Sequence, residues 1–87
     1  MNREQISDTD RAAVAAVMVE LSLARAAHPP VHSLHEGYAV ILEEVEELWE
    51  EVRKKRTEEA YQEAAQVAVT AIGLMGDILS GAVRNVR

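Results

Sequence analysis

The 87-residue sequence has no cysteine, no phenylalanine, one tryptophan, two tyrosines and two prolines, and each shortage removes a class of protein. Without cysteine there is neither a disulfide framework nor a thiolate zinc site, and no redox compartment can be inferred. With aromatics at 3% and a formal charge of −6, the chain lacks the stacking platforms and the basic stripe that binding to a nucleic-acid polymer requires. Long apolar runs are missing too. The longest uncharged stretch, residues 64–76, has 13 residues, short of the roughly 20 needed to span a bilayer. The first residues, Asn2 to Asp10, are polar where a secretory signal has an apolar core. A soluble, cytoplasmic protein without a membrane partner is therefore expected.

What is present is small and aliphatic. Hydrophobic residues make up 48% of the chain, and nearly all of that is Ala, Val, Leu and Ile. Such residues pack helices closely but fill little volume. One domain over residues 1–87 is expected, with a thin core that self-association into a homodimer or tetramer completes. The acidic charge is concentrated. Between Glu36 and Glu63 there are ten acids and four bases, whereas the remaining charges cancel. Clustered carboxylates of this kind suit a divalent cation.

Ser7, Asp8, Thr9 and Asp10 offer capping oxygens ahead of an Ala- and Val-rich run, which predicts a first helix over about 9–27 after a frayed end at residues 1–6. Val14, Val17, Met18 and Leu21 give it one apolar face; Ala12, Ala16, Val19 and Leu23 give it a second, read as a subunit contact. Pro29 and Pro30 end it. Ser33 and Glu36 have the spacing of a capping box, so a second helix over about 34–55 is expected, ending in the basic run Arg53 to Arg56. Thr57 is the expected cap of a third helix, about 58–83, whose glycines 73, 76 and 81 suggest close packing. The fold class is all-α, with helices 2 and 3 as an antiparallel hairpin that forms a four-helix bundle through dimerisation.

The second helix carries the most information. Tyr38, Ile41, Leu42, Val45, Leu48, Trp49 and Val52 share one sector at 100° per residue, which assigns Trp49 to the core. Glu44, Glu47 and Glu51 flank that sector on one side; Glu43, Glu46 and Glu50 flank it on the other, with Glu46 and Glu50 read as solvated and Glu50 as a partner for Arg53 or Lys54. Counting outward from the turn at 1.5 Å per residue brings Glu47 level with Gln66, Glu51 level with about Gln62 to Glu63, and Glu44 level with Val69. If the polar edges face the same side, Glu44, Glu47, Glu63 and Gln66 converge.

The pairing of Glu43-Glu44-Val45-Glu46-Glu47-Leu48 with Glu63-Ala64-Ala65-Gln66 one helix later resembles the E-E-x-x-E and E-x-x-D motifs of MazG-like all-α nucleoside triphosphate pyrophosphohydrolases. The likeness extends over about residues 31–79 and includes the lead-in His32-Ser33-Leu34-His35-Glu36-Gly37-Tyr38. It implies Mg²⁺, with Mn²⁺ as an alternative, held by Glu44, Glu47 and Glu63. It further implies Glu43 as a water-orienting base or second-metal ligand, and a nucleoside triphosphate substrate cleaved to monophosphate and pyrophosphate. Gln66 stands where the family has Asp; it offers only a neutral carbonyl oxygen and implies weaker metal affinity. The competing expectation is a non-catalytic helical module that keeps the scaffold for oligomerisation or partner binding. His28, His32 and His35 form no zinc site in this reading because Pro29-Pro30 denies them a common helix face, and Asp77, about 16 Å along the helix from Gln66, lies outside the site within one chain.

Overall fold

Ser7 Oγ accepts the Asp10 backbone N–H at 3.0 Å, and Ser33 Oγ accepts that of Glu36 at 3.0 Å. These two hydroxyls satisfy orphan amides and start two of the three helices in the computed structural model, which describes residues 5–83. The helices are α1 (Asp8–Ala27), α2 (Leu34–Arg53) and α3 (Thr57–Ser80), and the described residues contain no strand. Most of the expected frayed end, and residues 84–87 of the single domain, lie outside the described residues.

Two local expectations are corrected. The Glu36 carboxylate does not close the capping box on Ser33; it accepts the N–H of His32 at 2.7 Å, one residue earlier, because the extended Ser33 backbone turns the His32 amide towards the helix. Thr57 is the first residue of α3 and not its cap: that position falls to Arg56, which makes no side-chain capping bond. The reason is the tightness of the turn. Lys54 is the C-cap of α2, Lys55 adopts a left-handed φ of 58°, and Arg56 N–H returns to Glu51 O at 3.0 Å while Lys55 N–H returns to Val52 O at 3.0 Å. This is the paired-bond termination that glycine usually occupies. Lys55→Gly is expected to relieve the left-handed strain and stabilise the protein by roughly 0.5–1 kcal/mol, read as a rise of a few degrees in melting temperature.

Helix α3 is the centre of the molecule, packed against both α1 and α2, which do not pack on each other. Glu20 of α1 lies beside Gln66 and Arg25 beside Asp77, so α1 runs in the same sense as α3. Helix α2 runs back, with Gly37 against Leu74; a Cβ at Gly37 would lie 2.6 Å from Leu74 Cδ1. The glycine that lets helices approach closely is therefore in α2. Gly73 and Gly76 leave room for the Arg25 guanidinium, 3.9 and 3.0 Å from where their Cβ atoms would be.

The core is thinner than the apolar content suggests. Val69 and Val83 are the buried hydrophobic residues among those described. On α2 the inward residues are Gly37, Val40, Ile41, Glu44, Leu48 and Glu51. That packing face is rotated from the apolar sector, taking in its Ile41 and Leu48 edge. Tyr38, Leu42, Val45, Trp49 and Val52 are left exposed. Trp49, expected in the core, is 58% exposed. An apolar sector this wide exceeds what one neighbouring helix can cover. The back of α3 is similar, with Ile72, Met75 and Leu79 exposed, the last at 87%. On α1 the inward residues are Ala16, Val17, Glu20, Leu21 and Ala24, while Val14 and Met18 are exposed on one side and Val19 and Leu23 on the other.

Candidate metal centre

Glu44 and Glu47 are one turn apart on α2, and Glu63 stands on the second turn of α3. Each offers one carboxylate oxygen, and the three oxygens lie within 4.8 Å of one another. Glu44 and Glu63 are half-buried and Glu47 is exposed. Helix α2 brings Glu44 inward because its packing face is rotated towards the acidic flank. The tight turn sets Glu63 of α3 opposite, and beside the chain reversal Glu51 pairs with Arg56 Nε at 3.0 Å.

Three carboxylates this close repel one another when ionised. Burial, followed by the charge and hydrogen bonding of Glu47 and then the charges of Glu63 and Glu43, pushes the Glu44 carboxyl up from 4.5 to about 7. Burial and then Glu47 and Glu51 raise that of Glu63. Glu63 Oε2 is buried with no hydrogen-bond donor. An orphaned, hard oxygen among acids with raised pKa values is a donor set that protons or a divalent cation can satisfy.

The other candidate residues divide. Glu43 is exposed and near enough for its charge to raise Glu44. Gln66 does not join the three acids. Three residues beyond Glu63 it is rotated about 60° around α3 towards α1, and its Nε2 donates to Glu20 Oε1 at 3.2 Å. Glu50 pairs with Arg53 at 2.7 Å and Lys54 at 3.8 Å on the outer surface, and Glu46 is exposed. Asp77 is 4% exposed; it takes Arg25 Nη1 on Oδ1 at 2.6 Å and the Val31 N–H on Oδ2 at 3.0 Å. It therefore ties α3 to α1 and to the connection that follows α1. His28, His32 and His35 are exposed.

Glu20 is not among the residues that the motif spacing singles out. It is an acid within the apolar run of the first helix, on the face shared by Val17, Leu21 and Ala24, and that placement was the available signal. Glu20, Gln66 and Glu44 line a cleft of about 660 Å³ between α1 and α2, floored by Val69, Thr70 and Leu74 of α3. Comparison with family models, curated proteins and solved structures gave no match.

Proposed function

We propose that the chain is a divalent-cation-dependent nucleotide pyrophosphohydrolase of MazG-like type, cleaving a nucleoside triphosphate to the monophosphate and pyrophosphate. The observation that carries this reading is the convergence of Glu44, Glu47 and Glu63 from two helices, with one Glu63 oxygen left without a donor. Bound Mg²⁺ or Mn²⁺ supplies charge neutralisation at the substrate phosphates. Glu44, Glu47 and Glu63 hold the ion. Glu43, exposed beside them, orients the attacking water and accepts its proton. Gln66 adds no charge, so affinity for the ion is lower than four acids would give. The corresponding setting is the cytoplasmic nucleotide pool.

The same reading includes self-association of the α2–α3 hairpin into a four-helix bundle, as a homodimer or a pair of dimers. Its support is the exposed Tyr38, Leu42, Val45 and Trp49 of α2 together with Ile72, Met75 and Leu79 of α3, an apolar surface expected to be covered. Mass measurement in solution reads this directly, and a persistent monomer refutes it.

Pyrophosphate release is the activity test. A panel of ribo- and deoxyribonucleoside triphosphates with Mg²⁺ or Mn²⁺ is expected to include at least one substrate whose turnover disappears in Glu47→Ala. No turnover across the panel, with no cation-dependent rise in melting temperature, rules the enzyme out. The second reading, a non-catalytic helical module, is favoured by the Gln66–Glu20 hydrogen bond, which commits the position to a neutral contact. Under it, the natural chain associates in solution yet shows neither turnover nor a cation-dependent rise in melting temperature.

A further inference from the structure

The cleft between α1 and α2 adjoins the acidic cluster through Glu44, which belongs to both. At about 660 Å³ it has the size of a small-molecule site, and like such sites it combines apolar walls with a few polar groups. Leu21, Val69 and Leu74 supply part of the apolar wall, while Glu20 and Gln66 meet on it. Arg25 also lines the cleft, but its guanidinium is engaged by Asp77 at 2.6 Å and by the Gly73 carbonyl at 2.9 Å. Glu20, Glu36, Glu44 and Asp77 are acids of the same lining, so the cleft favours an uncharged, donor-bearing group over a phosphate.

Glu20 is the informative residue. An ionised carboxylate only accepts hydrogen bonds, and one amide hydrogen of Gln66 is already directed at it. A ligand group beside Glu20 must therefore bring donors. Among the common nucleobases, guanine alone presents two adjacent donors, its ring N1–H and its exocyclic amino group, in a spacing that matches the two oxygens of one carboxylate. Adenine and cytosine each set one amino group beside a ring nitrogen acceptor, which a carboxylate repels. Uracil flanks its single N–H with carbonyl oxygens.

Resting on the pyrophosphohydrolase reading, we infer that this cleft receives the nucleoside end of the substrate and that Glu20, oriented by Gln66, selects guanine. The phosphates then extend past Glu44 towards Glu47 and Glu63. Glu20 is a specificity-determining residue here, outside the cation-binding set.

The test is binding of guanosine, adenosine, cytidine and uridine to the full chain without divalent cation, followed by NMR. Guanosine is expected to shift the amide signals of Glu20, Gln66 and Val69 and to bind about tenfold more tightly than the other three. Glu20→Gln, which puts a donor beside the base, is expected to erase that preference while the circular dichroism melt stays cooperative. Equal binding of all four nucleosides, or none at millimolar concentration, overturns the inference. The natural chain's ranking decides the matter even if the variant fails to fold. Triphosphate hydrolysis without guanine preference removes this inference and leaves the proposed activity standing; guanosine selection without hydrolysis does the reverse.

Discussion

Raising the pH from about 5 to about 8 without divalent cation is expected to lower the melting temperature, and adding Mg²⁺ or Mn²⁺ at the upper end to restore it. The folded Glu44 carboxyl titrates at about 7 against an ordinary 4.5, so folding favours its protonated form. The stability associated with that proton is fully present below about 4.5 and is lost as pH rises through about 7. Discounted for the partial exposure of the group, the loss is on the order of 1–2 kcal/mol, or roughly 5–10 °C in a domain of this size. Glu63, raised in the same direction, adds to the slope. A cation must displace these protons, so its affinity rises over the same interval.

Glu47→Gln separates a built site from a merely acidic surface. Glu47 is the neighbour whose charge raises both Glu44 and Glu63. Its neutralisation is expected to flatten the pH dependence of the cation-free protein and stabilise it near pH 8, while abolishing the stabilisation by cation. Two effects of opposite sign at one position are the signature. A variant that melts like the natural chain at every pH and cation concentration would show the three acids to be independent.

Asp77→Ala is expected to cost about 2–4 kcal/mol of unfolding free energy, a large fraction of the roughly 4–13 kcal/mol typical of a chain this long. The Asp77 side chain is 6% exposed, and its removal strands the Val31 amide and takes the charge partner from Arg25, whose guanidinium keeps only the Gly73 carbonyl. Arg25→Ala should cost less, because that side chain is 40% exposed, and the double variant less than the sum of the two. Urea denaturation followed by circular dichroism, at one protomer concentration for all variants, reads the cycle. Additive losses below about 0.5 kcal/mol each would deny Asp77 its role as the tie between α1 and α3.

The sequence by itself determined the three helices and where they begin and end to within a few residues. Those are local matters: Ser7 and Ser33 supply oxygens to their own first turns, and Pro29-Pro30 stops a helix wherever it stands. Spacing along the helices also nominated Glu44, Glu47, Glu63 and Gln66 as one group, of which the structure brings the three acids together and turns Gln66 away. Only the tertiary structure decided how each helix is turned about its axis. Helix α2 carries an apolar sector wider than one contact, so its sequence is compatible with several rotations. The one adopted uses Gly37 for close approach to Leu74, brings Glu44 inward and leaves Trp49 outside. The same rotational freedom sends Gln66 to Glu20 and Asp77 to Arg25 and Val31. Those partners lie 46 or more positions apart in the chain, where no periodicity connects them and only packing can.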